Sequence, residues 1–152
     1  MLNNEDTVSV INNLIEISKD GEEGFFKSAQ DVDNEQTKTY LILRSNQIKQ
    51  SVYELQNLVR ELGGRPADST STNGYLHGKW IELKAVIMAK DNLSVLNELE
   101  RGEQVALHAY AVAAKKELPP EAAAIVLNQL NGTQRNHNEV KEMRDAAEVI
   151  SP

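Results

Sequence analysis

The sequence predicts an all-α fold, a bundle of four long helices, and two observations support this prediction. Aromatic residues make up only 5% of the 152 residues, whereas Leu, Ala, Glu, Gln and Lys, which favour helices, occur throughout the chain. Apolar residues recur at intervals of three and four, and no stretch alternates between apolar and polar residues as a half-buried strand would. We therefore expect helices joined by loops.

The first helix is predicted over residues 6–30. Its apolar residues keep the spacing of one helix face from Val8 to Ala29, and this face turns polar near Glu22. We expect the apolar part of the face to pack against the other helices.

The second helix is predicted over residues 34–62 and shows the clearest periodicity in the chain. Asp33 and Gln36 form the Asp-x-x-Gln pattern of a capping box, in which side chains satisfy free amide groups at a helix start. Gly63 is expected to end the helix, because glycine readily adopts the left-handed conformation found there. Arg44 is the one charged residue on the apolar face of this helix.

A long connection follows the second helix. Residues 64–73 are rich in Gly, Pro, Ser, Thr and Asn, which predicts a loop. A short helix is expected over 74–89, with Trp80 on its buried side. Asp91 then fits as the cap of the next long helix.

Two more long helices are predicted, over residues 92–117 and from Pro119-Pro120 to about residue 149. Glu100 and Glu103 interrupt the apolar face of the former. The prolines suit a helix start, because proline is tolerated in the first turn. The residues predicted to face inward on the last helix are Ala123, Leu127, Leu130, Gln134, His137, Val140 and Arg144.

The lengths of the connections predict how the helices assemble. The junctions at 30–34 and 117–121 are short, so each joins an antiparallel pair. Residues 64–91 are numerous enough to run back along a helix of about 25 residues, which is about 38 Å long. The second and third long helices would then start at the same end, which places Arg44 level with Glu103, each about ten residues into its helix.

Charge and composition limit the partners and the compartment. The chain has 16 Lys and Arg against 23 Asp and Glu, a net charge of −7, and no dense basic run, so we expect no nucleic-acid binding. No apolar run reaches the roughly 20 residues of a membrane span. The first residues lack the basic start and apolar stretch of a signal peptide, which predicts a cytoplasmic protein. The absence of Cys excludes disulfides, thiolate zinc sites and cysteine nucleophiles.

A four-helix bundle with a crossover between its two hairpins is the ferritin-like arrangement. A di-metal centre in such bundles takes one Glu from each of two helices and a Glu-x-x-His pair from each of the other two. Carboxylates and imidazoles of this kind suit iron or manganese. The candidate ligands in this chain are Glu22 or Glu23 on the first helix, together with Glu100, Glu103 and His137.

Three residues depart from the di-metal pattern. Gln134 supplies an amide three residues before His137, where a carboxylate is expected. The second helix offers Arg44 and Gln47 at that level, and a guanidinium repels divalent cations while it neutralises carboxylates. We therefore expect an internal Arg–Glu–His network in place of a metal centre, with Arg44, Gln47 and Gln134 as a structural polar layer.

Several segments of the chain also carry a resemblance to a known family: residues 14–25 (LIEISKDGEEGF), 58–66 (LVRELGGRP), 100–103 (ERGE) with Tyr110, and 118–120 (LPP). They resemble a bacterial family of ferritin-like four-helix-bundle proteins known only as a domain of unknown function. The resemblance extends over residues 6–146. It implies a single ferritin-like bundle, often linked to stress responses, with no established enzyme activity.

Two hypotheses of function follow. The favoured one is a non-catalytic helical protein, a single domain over residues 1–152 with its core within 6–149, that works as a homo-oligomer or with a protein partner. The alternative is an oxidant-handling protein that binds iron or manganese through the partial site of Glu and His residues named above. A third idea assigns partner binding or dimerisation to the connection and the short helix with Trp80.

Overall fold

The computed structural model describes residues 1–69 and 91–150, and all regular secondary structure in these ranges is helical. The all-α prediction is confirmed for them, with helix boundaries within a few residues of those expected. The short helix predicted over 74–89 lies outside the described residues. The helices are α1 (Asn4–Asp31), α2 (Glu35–Glu61), α3 (Asn92–Ala114) and α4 (Pro120–Ile150).

Capping residues fix where α1 and α2 begin. Asn3 caps α1 and Asn34 caps α2, and each side chain accepts a hydrogen bond from the backbone amide three residues later. The sequence prediction placed the cap of α2 at Asp33, one residue too early. Gly63 follows α2 with a φ of 81°, which confirms the glycine ending predicted for this helix.

The contacts between helix ends show the direction of each helix. The Oγ1 of Thr37 donates a hydrogen bond to Oδ1 of Asn92 at 2.8 Å, so α2 and α3 start at the same end of the bundle. The backbone amide of Leu2 donates to the carbonyl of Glu117 at 2.6 Å, so α1 starts beside the end of α3. α1 packs mainly on α2, and α3 packs mainly on α4, as two antiparallel hairpins.

The chain turns back along the groove between α1 and α2 directly after α2. Ala67 forms hydrogen bonds with both helices: its amide donates to Oδ1 of Asn12 at 2.8 Å, and its carbonyl accepts from Nε2 of Gln56 at 3.0 Å. Asp68 then lies in a surface depression with Glu22, further along α1. The described part of the connection thus heads toward the end where α2 and α3 begin.

The predicted inward face of α4 is wrong by about one residue. Leu127, which was expected inside, is 53% exposed, and Gln134 is also exposed, whereas Gln129 and Thr133 are buried. Polar side chains occupy part of the true inward face, and the predicted face included the exposed Leu127 in place of the buried Val126. The buried set on α4 is Ala122, Val126, Gln129, Thr133, Val140 and Met143.

The other three helices bury the faces that their periodicity predicts. Ile11, Ile15 and Phe25 of α1 are buried, as are Leu41 of α2 and Leu99 of α3. Over the described ranges, no helix combines the length and the apolar character that a membrane span needs.

Candidate functional site

Arg44 of α2 and Glu103 of α3 form an ion pair in the middle of the bundle. The Nε of Arg44 lies 2.8 Å from Oε1 of Glu103, and its Nη2 lies 3.1 Å from Oε2, so the contact is bidentate. The hydroxyl of Tyr40 donates to the same Oε1 at 3.2 Å. The two charged side chains are 8% and 1% exposed. Three donors therefore satisfy a carboxylate that is almost completely shielded from water.

Burial and this ion pair shift the pKa values of Tyr40 and Arg44. Burial, together with the negative charge of Glu103, raises the pKa of Tyr40 far above its usual 10. Burial by itself would lower the pKa of Arg44, but attraction and hydrogen bonding to Glu103 outweigh it and raise that pKa further. Both donors therefore keep their protons at neutral pH, and the charge of Arg44 balances that of Glu103.

A second buried polar network joins all four helices. The hydroxyl of Tyr110 donates to Oε1 of Gln129 at 2.7 Å and lies 3.3 Å from Oγ of Ser18. The Nε2 of Gln129 donates to Oε1 of Glu54 at 2.8 Å and to the carbonyl of Ser51 at 3.2 Å. Burial raises the pKa of Tyr110 above its usual value, so the phenol stays a donor.

Gln129 is absent from the residues predicted to face inward, although its position carries a signal. Ala122, Val126, Val140 and Met143 share one face of α4 at successive intervals of 4, 14 and 3 residues, and Gln129, three residues after Val126, falls on the same face. Reading the phase of α4 from these four residues would have placed Gln129 inside.

Glu100 of α3 faces two basic residues of α4. The Nη1 of Arg144 donates to Oε2 of Glu100, whereas Nε2 of His137 lies 3.6 Å from Oε1, too far for a normal hydrogen bond. The side chain of His137 is 13% exposed, and neither of its ring nitrogens has a hydrogen-bond partner. Arg144 thus neutralises Glu100, and His137 lies beside this pair with both nitrogens unused.

The remaining predicted site residues lie on the surface. Glu23 is exposed and pairs with Lys27, one turn later on α1. Gln47 is exposed on α2, and Gln134 is exposed on α4. Among the described residues, no group of three or more His, Asp and Glu side chains is arranged to hold a metal ion.

Arg44 also lies between two empty spaces of different size. A mostly apolar cavity of about 60 Å³, mainly between α1 and α3, reaches Arg44 and Glu103. A polar groove of about 540 Å³ between α2 and α4 reaches Arg44 from the other side and is lined by amides such as Gln47 and Gln129. The inner cavity is far below the roughly 300–1,000 Å³ typical of ligand pockets, so it has room for a few water molecules.

Comparison with known sequences gives one family match. A family model described as a domain of unknown function (DUF2383) matches residues 6–116. The matched range covers most of α1 and all of α2 and α3, including Arg44 and Glu103, and ends before α4. Among curated proteins, none matches the chain.

Proposed function

The chain belongs to the family described as a domain of unknown function (DUF2383), and from this premise we propose that it is a non-catalytic, ferritin-like bundle that works through its surface. It acts in the cytoplasm as a single domain over residues 1–152, as a homo-oligomer or with a protein partner. The resemblance noted above adds a link to stress responses. The observation that carries the proposal is that Glu103, the most deeply buried candidate ligand, is already bound by Arg44 and Tyr40.

Two features support the ferritin-like arrangement. The hydrogen bond between Thr37 and Asn92 puts the starts of α2 and α3 at one end, which a long crossover between two hairpins requires. The contacts of Ala67 show the chain turning back along α1 and α2 after Gly63, as such a crossover would.

The charges at the centre argue against a di-metal site. The guanidinium of Arg44 already lies within 3 Å of the Glu103 carboxylate, so it would repel a divalent cation bound to that carboxylate. Displacing Arg44 would leave its charge buried and unpaired, which costs several kcal/mol, about 3–5 in comparable cases. Glu23 lies outside this layer, because it is exposed and paired with Lys27.

Metal content tests the proposal directly. We would purify the chain without a His-tag, load it anaerobically with ferrous iron, and measure iron per chain by elemental mass spectrometry. The expected result is far less than one iron per chain, with the same value for His137→Ala and for the surface control Glu23→Ala. One or two irons per chain, lost in His137→Ala and retained in Glu23→Ala, would overturn the proposal.

The alternative, an iron- or manganese-binding oxidant-handling protein, rests on one specific observation. Nε2 of His137 lies 3.6 Å from Glu100, and both ring nitrogens are unpartnered. A site on these two residues would be mononuclear and completed by water, and Arg144 would oppose it by charge. If this alternative holds, Arg144→Ala strengthens the binding of manganous ion, measured by electron paramagnetic resonance, and adding His137→Ala abolishes it. The favoured proposal expects no binding in either variant.

A further inference from the structure

α2 carries a second helix face that points away from the bundle. We call it the outer face of α2. Its two large apolar side chains, Leu43 and Tyr53, are 57% and 50% exposed. None of its residues is charged, although 26% of the residues in the chain are. The outer face consists of Thr39, Leu43, Asn46, Gln50, Tyr53 and Asn57, all exposed.

The residues of the outer face have the spacing of a coiled-coil seam. Leu43, Gln50 and Asn57 fall at a positions of a heptad, and Asn46 and Tyr53 fall at d positions. Leucine and tyrosine supply the apolar contact in such a seam, and an Asn at an a position, such as Asn57, fixes the register. The bundle core uses the opposite face of α2, so the fold itself does not account for this second seam.

Two charged residues flank the outer face on opposite sides. Lys49 falls at a g position, and Glu54 falls at the e position of the next heptad, and both are exposed. In a parallel helix pair, a g residue of one chain faces that e residue of the other chain. Lys49 would therefore face Glu54 of a second copy, and two-fold symmetry would form this contact twice. In an antiparallel pair, g residues face g residues of the other chain, so Lys49 would not face Glu54.

We propose that α2 pairs in parallel with α2 of a second copy, and that the chain forms a two-fold symmetric dimer through the outer face of α2. The occupant is a second copy because the flanking charges complement themselves and the seam carries no charge from Thr39 to Asn57, which lets two copies of an acidic chain approach. This inference rests on the proposed function and names its partner and surface.

The test is the mass of the full chain in solution, measured by sedimentation over a wide concentration range. Wild type is expected at about twice the 16.9 kDa of one chain. Leu43→Glu should abolish the dimer, because it buries two like charges in the seam. Leu127→Glu is the matched control, since Leu127 is 53% exposed on α4 and should leave the dimer unchanged.

A charge exchange tests the parallel register. Lys49→Glu and Glu54→Lys should each weaken the homodimer at least tenfold, because like charges then face each other at both contacts. An equimolar mixture of the two variants should form a heterodimer, because the introduced charges are complementary. Glu54 also accepts a hydrogen bond from Gln129, so circular dichroism must first show that Glu54→Lys is folded.

Three results would overturn the dimer: a monomeric wild type, a dimer that survives Leu43→Glu and Lys49→Glu, or a charge-exchange mixture that stays monomeric. A monomer without bound metal would leave the proposed function in place with a different partner. Bound metal in a dimeric chain would overturn the proposed function and leave the dimer standing.

Discussion

Arg44 and Glu103 connect α2 and α3, the two helices that lie diagonally across the bundle and share little backbone contact. The link between these helices therefore depends on side chains long enough to reach the centre. Tyr40 contributes a second such link through Glu103. The ion pair sits where the arrangement of the helices would otherwise leave the middle of the bundle open, next to the cavity between α1 and α3.

Removing the charge of Glu103 should destabilise the fold strongly. Glu103→Gln keeps the size of the side chain but leaves the buried guanidinium of Arg44 without a counter-ion. Breaking a buried pair in this way costs about 3–5 kcal/mol. Urea unfolding at pH 7 measures the loss.

Two further variants test whether the loss in Glu103→Gln comes from the broken ion pair: one removes a surface carboxylate, and the other replaces the pair with apolar residues. Glu23→Gln, which removes an exposed carboxylate paired with Lys27, should cost less than about 1 kcal/mol. Arg44→Met and Glu103→Leu, combined with Tyr40→Phe so that no buried hydroxyl is left without an acceptor, should regain most of the stability lost in Glu103→Gln, because apolar residues can replace a buried pair. A Glu103→Gln cost as small as that of Glu23→Gln would show that Arg44 does not depend on Glu103.

Tyr40→Phe should have an effect that depends on pH. At pH 7 the variant loses a hydrogen bond to a charged acceptor, which costs about 1.5–3 kcal/mol. The folded-state pKa of Tyr40 is raised above its usual 10, so the stabilisation by its proton is complete below pH 10 and falls as pH rises beyond it. The stability difference between wild type and variant, measured by urea unfolding, should therefore narrow by about 1.4 kcal/mol between pH 7 and pH 11.

Ser45→Ala is the control for this pH dependence. The hydroxyl of Ser45 is buried and donates to the carbonyl of Glu22 at 3.1 Å, but it does not titrate in this range. Its removal should cost the same at pH 7 and pH 11. If Tyr40→Phe also cost the same at both values, the phenol would not be held protonated by the fold.

The shared height of Arg44 and Glu103 along the bundle axis could be predicted from the sequence, because it depends only on the number of residues between each of them and the start of its helix. A helix rises 1.5 Å per residue, so counting from each helix start gives the height of a residue within a few ångströms. The side of the helix is harder, because neighbouring residues differ by about 100° around the axis. The charge of Glu23 therefore could not be placed inside or outside from spacing, and the phase of α4 was lost because Gln129 and Thr133 are polar yet buried.

Alanine should act in opposite directions at two glycines. A Cβ at Gly64 would lie 2.7 Å and 2.8 Å from the methyl groups of Val8, closer than real contacts allow. Gly64→Ala should therefore destabilise the fold by about 1–3 kcal/mol.

A Cβ at Gly132, inside α4, would lie 3.6 Å from its nearest neighbour, an atom of Arg135. Gly132→Ala should stabilise by up to about 1 kcal/mol, because alanine favours a helix interior. If thermal unfolding showed the melting temperatures of Gly64→Ala and Gly132→Ala shifted in the same direction, this prediction would be contradicted.

Glu61→Gln should stabilise the chain at neutral pH and have little effect in acid. Glu61 ends α2 next to Glu121 in the first turn of α4, and a hydrogen bond with Glu61, followed by repulsion from its charge, raises the pKa of Glu121 above 4.5. The neutral pair is thus favourable below pH 4.5, and this benefit is lost as pH rises through the raised pKa. At pH 7 the two carboxylates repel each other. Glu61 also lies at the negative end of the α2 dipole, where a negative charge is unfavourable. Removing the charge of Glu61 therefore relieves two unfavourable interactions. Urea midpoints at pH 4 and pH 7 measure the difference, and an unchanged midpoint at pH 7 would show that the two carboxylates do not interact.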